Sequence, residues 1–251
     1  MAGGVDDKSS SCYFNLNIVT GVPHNMSNNN DTSPGNFELM DCALITLATG
    51  KRAVNLRELR DRVWEVEESS LYYHFYELLL RPSHDDPEFH NDFAIWAKRS
   101  LHDNRLAEKL AMLDPLSCCS LDDLRQQLVD VIEDHLDEME HVPWARPDDE
   151  FHFLTSKVVV FDTGRRFKRP PELGKAIRGL STGSIFYHFI DSRRRSTHNQ
   201  DDFSYWLEEF GKETAEIRQS LERLDYYFWT LPELRERIAR RFDRLFEESK
   251  E

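Results

Sequence analysis

Cysteine is scarce in this 251-residue chain and confined to its first half, as Cys12, Cys42, Cys118 and Cys119. The neighbours Cys118 and Cys119 make a poor disulfide, and the second half has no cysteine. A shared disulfide framework is therefore not expected, and a reducing compartment is. No CxxC pair and no HExxH signature is present, so no metal site is expected. There is no Walker loop and no Gly-rich dinucleotide turn, so no cofactor is expected either. Bases are outnumbered, 32 Lys and Arg against 46 Asp and Glu, for a net charge of −14. Phosphate neutralisation needs clustered Lys and Arg, so general nucleic-acid affinity is not expected. The longest apolar run, Cys42–Ala48, is far too short for a bilayer. The first residues lack the basic-then-apolar pattern of a signal peptide. The expected setting is the cytoplasm, with no membrane partner.

What the chain has instead is repetition. Ser70-Leu71-Tyr72-Tyr73-His74-Phe75 returns as Ser184-Ile185-Phe186-Tyr187-His188-Phe189, an offset of 114. Asp92-Phe93-Ala94-Ile95-Trp96 returns as Asp202-Phe203-Ser204-Tyr205-Trp206, an offset of 110. The late segment Ser120–Arg125 matches Thr230–Arg235 at 110 again. A period of this size indicates a duplicated domain, since solenoid units run about 20–50 residues. The expected organisation is an N-terminal arm over 1–35, a first copy over 36–140, an acidic linker over 141–150 and a second copy over 151–251. The arm is rich in Ser, Asn, Asp and Gly around one apolar island, Tyr13–Val19.

Each copy opens on a β-rich stretch, Leu39–Leu47 or Phe153–Phe161. A Thr-Gly pair follows, read as the turn of a hairpin with a short return strand. Helical patterns come next. They start near Asn55 or Pro170-Pro171, after Ser70 or Ser184, and at Asp92 or Asp202. The last helix of each copy opens on a capping box, Ser120 with Asp123 and Thr230 with Glu233. The expected fold is mainly α, in the α+β class: two tandem pseudo-symmetric domains, each a small β-hairpin plus about five helices.

The Thr-Gly pairs, Asn55–Leu59, Tyr73-His74-Phe75, Asn91-Asp92-Phe93 with Trp96, and Leu106–Leu110 carry a resemblance. The region from Phe37 to Phe246 resembles an uncharacterised domain-of-unknown-function family of bacteria and archaea, here as two tandem copies. The resemblance implies no reaction. The second copy departs from it at Gln200-Asp201, where the first has His90-Asn91.

Candidate chemistry is thin. His74 with Glu77, and His188 with Asp191, lie three apart on a helix and share a face. A carboxylate beside an imidazole can serve a general base. It can equally orient a partly buried helix, which is the more ordinary outcome. Asp92 and Asp202 read as helix N-caps. Trp96 and Trp206 read as core. His84, His90 and His102 stand near Asp85, Asp86 and Asp92, a set matching no metal motif. The least ordinary feature is basic. Arg165, Arg166, Lys168, Arg169, Lys175, Arg178, Arg193, Arg194 and Arg195 face only Glu172 and Asp191 within 164–195. Arg suits phosphate through its planar fork. Either the acidic linker neutralises this cluster or an external anion does. The leading expectation is a non-catalytic binding or scaffold protein whose second copy recognises an anionic small molecule or an acidic protein, through Arg165, Arg166, Lys168, Arg169, Arg193 and Arg194. The alternative is an enzyme acting on a sugar or phosphorylated small molecule through His74, Glu77, His188 and Asp191.

Overall fold

In the computed structural model, residues 35–80, 89–138, 147–196 and 199–248 are described. The arm, much of the linker and the loop carrying His84, Asp85 and Asp86 lie outside them.

Two strands of equal length form the spine: β1, Phe37–Ala53, and β2, Phe151–Phe167. They pair antiparallel with each other as a two-stranded ribbon. The expected hairpins are therefore corrected. Each Thr-Gly pair sits inside one continuous strand, at an irregularity in the register, opposite Leu39/Met40 in one case and near Ala48/Arg52 in the other. Gly50 and Gly164 take φ of 76° and 72°, the left-handed region that glycine enters freely. That conformation serves a bulge as readily as a turn. Thr49 Oγ1 donates to the Phe153 carbonyl at 2.7 Å and Thr163 Oγ1 to that of Leu39 at 2.6 Å, tying each bulge to the opposite strand.

Among the described residues five α-helices follow β1: α1 Leu56–Glu65, α2 Glu68–Phe75, α3 Asp92–Arg99, α4 Asn104–Ala111 and α5 Leu121–Glu138, with a 3-10 turn at Glu77–Leu80. After β2 come α6 Pro170–Ile177, α7 Thr182–Ile185, a π-helical stretch Phe186–Asp191, α8 Ser192–Arg195, α9 Asp202–Glu208, α10 Ala215–Glu222 and α11 Leu231–Glu248. The mainly helical α+β class holds. Local chemistry explains most starts. Asn55 accepts from the Glu58 amide while Glu58 accepts from that of Val54, a reciprocal cap. Prolines fill the first turn of α6. The helices expected after Ser70 and Ser184 begin two residues before those serines, at Glu68 and Thr182. Both serines lie inside the first turn, donating to the strand carbonyls of Leu154 and Met40 at 2.7 and 2.8 Å.

Those bonds show how the ribbon is held. Helices that follow β1 grip β2, and helices that follow β2 grip β1. Phe151 stacks on Phe93 at 5.0 Å and meets Trp96 at 5.7 Å. Phe37 stacks on Phe203 at 5.4 Å and meets Trp206 at 5.4 Å. Trp96 Nε1 donates to the Asp149 carbonyl and Trp206 Nε1 to that of Gly35, at 2.8 and 2.7 Å. Both indoles are 5% exposed, so they serve as core rather than as ligand platforms. At the far ends, Arg125 of α5 donates to the carbonyls of Val63 and Val66, and Arg235 of α11 to that of Leu180. Leu44 pairs with Val158 at the middle of the ribbon.

Candidate functional site

His74 and His188 stand against the ribbon from opposite halves, and both are buried. His74 Nδ1 lies 2.6 Å from Asp92 Oδ2, and its Nε2 accepts from the Leu154 amide at 3.0 Å. His188 Nδ1 lies 2.8 Å from Asp202 Oδ2, and its Nε2 accepts from the Met40 amide at 2.9 Å. An amide can only donate, so each Nε2 presents its lone pair and each Nδ1 carries the hydrogen. Both ring nitrogens are occupied by the protein itself. Such an imidazole orients a strand and has no free nitrogen for a substrate proton.

The carboxylate on each imidazole thus belongs to Asp92 or Asp202, one loop onward, instead of the expected Glu77 or Asp191. The cap assignment shifts by one residue accordingly. Asn91 Oδ1 caps α3 through the Ala94 amide, and Asp201 Oδ1 caps α9 through that of Ser204, each at 2.9 Å. Asp92 and Asp202 are then the first helical residues and are turned to the histidines. Asn91 and Asp201 escaped the sequence reading as caps, although each immediately precedes the residue chosen.

Glu77 and Asp191 are buried too, at 4% and 2% exposure. They serve a second cluster. Asp191, at the end of the π-helical stretch, accepts from Arg194 Nη2 at 2.8 Å and Arg195 Nε at 2.9 Å. Arg195 also reaches Asp202 at 3.3 Å, and its guanidinium lies 3.9 Å from the Tyr187 ring centre. Arg194 lies over Tyr72 at 4.6 Å. Burial raises the Tyr72 hydroxyl well above the usual phenol range, with Asp191 adding to it. Arg193 donates to Asp201 at 3.2 Å and covers the rings of Phe189 and Tyr226. Burial lifts the Asp201 carboxyl above the usual range, against the pull of Arg193 and of Ser204. Cys42, pressed against the Gly183 carbonyl, is pushed up to about 12 by burial first and then by Asp191 and Asp41.

The nine clustered bases do not converge. Arg193, Arg194 and Arg195 are mostly buried and paired as above. Arg178 binds Glu236 and Asp243 of α11. Arg166 lies 3.1 Å from Glu38 and 2.5 Å from Asp162, whose carboxyl it holds down to about 2 with help from the Gly164 amide. Arg169 pairs with Glu172 at 3.0 Å. Among the described residues Arg165, Lys168 and Lys175 are exposed and pair with no carboxylate; Arg165 lies over the Phe167 ring at 5.3 Å. Of the described acids in the Glu133–Glu150 stretch, four pair with groups of the first half: Glu133 with Arg60, Glu138 with Arg105 and Lys109, Asp148 with His102, Glu150 with Arg52.

A groove of about 610 Å³ runs between α9 and α10, lined among others by Arg193, Gln200, Glu208, Arg218 and Glu222. Neither His74 nor His188 lines it, so the groove brings no imidazole to a ligand. Among the described residues no three His, Cys, Asp or Glu side chains gather in a way that could hold a metal ion. No helix among them is long and apolar enough to cross a membrane.

A mainly helical α+β protein on a long antiparallel ribbon, with His74 and His188 spent on the ribbon itself, is the class these features define. The chain belongs to the Family of unknown function (DUF5752), matched over residues 34–243. No curated protein matches it. Among solved structures it is similar to "The structure of OrfY from Thermoproteus tenax", with a TM-score of 0.70 at 24% identity over 85% of this chain and 96% of that one. At that identity the likeness shows the fold.

Proposed function

We propose that this protein is a non-catalytic binding or scaffold protein of two tandem copies, residues 36–140 and 151–251, whose second copy takes an anionic small molecule. What supports the duplication is that residues 114 apart make the same contacts: Ser70 and Ser184, His74 and His188, Phe37 and Phe151 each meet the opposite half alike. In this reading each copy lends its strand to the helices of the other. What supports the absence of catalysis is that both imidazoles are saturated by backbone and carboxylate.

The anion reading rests on one observation. Of the nine bases, Arg165, Lys168 and Lys175 remain exposed without a carboxylate partner among the described residues, and Arg165 and Lys168 flank the end of β2. Pro170 and Pro171 have no amide hydrogen, so the start of α6 adds fewer backbone donors than most helix starts. Recognition falls to the side chains, with Arg165 as the fork and Lys168 as the point charge. The test is thermal melting with inorganic tripolyphosphate, a sugar phosphate and a nucleotide. At a hundredfold excess over Kd, binding stabilises by about 2.7 kcal/mol. Changing Arg165 and Lys168 together to Ala should remove the shift, and changing Arg57 and Arg60 should not. A shift that survives in the Arg165/Lys168 variant, or no shift with any anion, overturns the reading.

A further inference from the structure

The last helix of the second half is far more basic than that of the first. Arg237, Arg240, Arg241 and Arg244 of α11 stand 110 residues after Gln127, Asp130, Val131 and Asp134 of α5. Two acids are thus replaced by four bases at matched positions. One face of α11 is neutralised, since Glu236 and Asp243 meet Arg178 at the end of α6, and Glu236 also meets Arg240. Arg237, Arg241 and Arg244 follow one another at four and three residues, which gathers them on a neighbouring face. Among the described residues, none of these three forms a salt bridge with a carboxylate.

Helix packing accounts for one of the three. In the first half the Leu110 carbonyl, near the end of α4, is taken by Asn91 Nδ2 at 3.0 Å. Asp201 stands at the matching place in the second half, and a carboxylate only accepts. Arg241 reaches across from α11 instead. Its Nε donates to the Ser220 carbonyl of α10 and its Nη1 to that of Arg237, both at 3.0 Å. These bonds fix the guanidinium and leave Nη2 without a partner among the described residues. Arg237 is fixed by stacking: its guanidinium lies 3.3 Å from the Trp229 ring centre, near enough only for a face-to-face stack. Its N–H groups, like those of the exposed Arg244, donate to no described residue. Glu233 comes within electrostatic reach of Arg237, but its Oε2 is spent on the amide and hydroxyl of Thr230. Burial, and then the charges of Arg237 and Arg244, lower the pKa of Arg241, and no carboxylate acts in the other direction.

We infer that Arg237, Arg241 and Arg244 bind a chain of linked phosphates, free or carried on a nucleotide. Three cations in a row suit a ligand with several negative charges. The row spans seven residues of helix, about 10 Å, which is longer than one tetrahedral ion. Phosphate oxygens match the guanidinium fork. Two of the three guanidinium groups are held in place before a ligand arrives, so less rotamer entropy is lost on binding. The net charge of −14 does not forbid the site, because at about 0.1 M salt exposed charges more than roughly 10 Å away are screened. The row is separate from Arg165 and Lys168. Those precede α6, whereas Arg241 faces α10 and a different face of α11 meets Arg178.

The test is calorimetric titration of the full chain with inorganic tripolyphosphate and with adenosine triphosphate. It is run in the Arg165→Ala/Lys168→Ala background, so that its outcome does not depend on a site at the end of β2. One ligand should bind per chain. Adding Arg237→Gln and Arg244→Gln spares the Arg241 bonds and should weaken binding by about tenfold or more, with melting followed in parallel to show that the variant folds. Equal affinities assign the site to the phosphate chain itself, and tighter binding of adenosine triphosphate assigns it to a nucleotide. Without any ligand, Arg244→Gln should raise the melting temperature, because it relieves repulsion. A background chain that binds neither probe overturns the inference. So does binding that survives both Gln changes, or an Arg244→Gln chain that melts lower than its parent. A single-stranded oligonucleotide that binds about tenfold more tightly than either probe also overturns it, because the row would then be a nucleic-acid surface.

Discussion

His74 Nε2 takes the amide hydrogen of Leu154, eighty residues further on, and His188 Nε2 takes that of Met40, 148 residues back. A helix in each half thus fixes the strand of the other through one ring nitrogen, while Asp92 or Asp202 fixes the ring through the second. Folding either half alone leaves a strand amide without its acceptor.

Replacing His74 by Ala removes the acceptor for the Leu154 amide and the ring packed on Phe93 and Phe151. Stability should fall by about 2–4 kcal/mol, from one stranded amide plus lost packing. His188→Ala should cost a similar amount. Urea unfolding measures both. A loss below about 1 kcal/mol for both would mean that the imidazoles do not hold the ribbon and are available for other work.

Gly183 marks where α7 approaches β1 most closely. A Cβ there would collide with Asp41 Oδ1 and the Cys42 carbonyl, one of them backbone. Gly183→Ala should destabilise by about 1–3 kcal/mol, the usual cost of overpacking. The position 114 residues earlier is Ser69, which already has a Cβ, so Ser69→Ala should change stability by less than about 0.5 kcal/mol. Equal effects at the two sites would show that the two halves do not grip their strands with different clearance.

The sequence made the helices legible because their signals are local. Asn55, Ser120 and Thr230 each mark a start through bonds within one turn, and Pro170 marks one through its fixed φ and missing amide hydrogen. The ribbon was not legible, because strand alternation says which face is buried but not which strand is the partner. A Thr-Gly pair after a β-rich run looks like a hairpin turn, and only the pairing distinguishes it from a bulge. The partner here lies more than 100 residues away: Leu44 on Val158. The histidines were legible as half of a His–carboxylate pair. Helical spacing favoured Glu77 and Asp191, whereas Asp92 and Asp202 reach the rings across a loop that spacing rules do not span. The basic cluster looked like one site because its residues are close in sequence. The fold divides it among β2, α6 and α8, and the buried acids Asp191 and Asp201 take the last three arginines.

Asp201 offers the clearest pH signature. It is buried and accepts from the Ser204 amide at 2.9 Å, the Ser204 hydroxyl at 2.8 Å and Arg193 at 3.2 Å. Burial outweighs these partners, and its folded pKa lies above the ordinary 3.8. The folded protein therefore holds this proton more tightly than the unfolded chain does. The stabilisation is complete below the ordinary value and is lost as pH rises through the folded pKa. Asn keeps the cap, as Asn91 does at the matching helix, but cannot titrate. The stability of wild type minus that of Asp201→Asn should therefore fall as pH rises from 3.8, then level off. Paired urea melts across that range measure it. A difference that instead rises with pH over the same window would mean that Arg193 and Ser204 outweigh burial, and that the carboxylate is favoured in the fold.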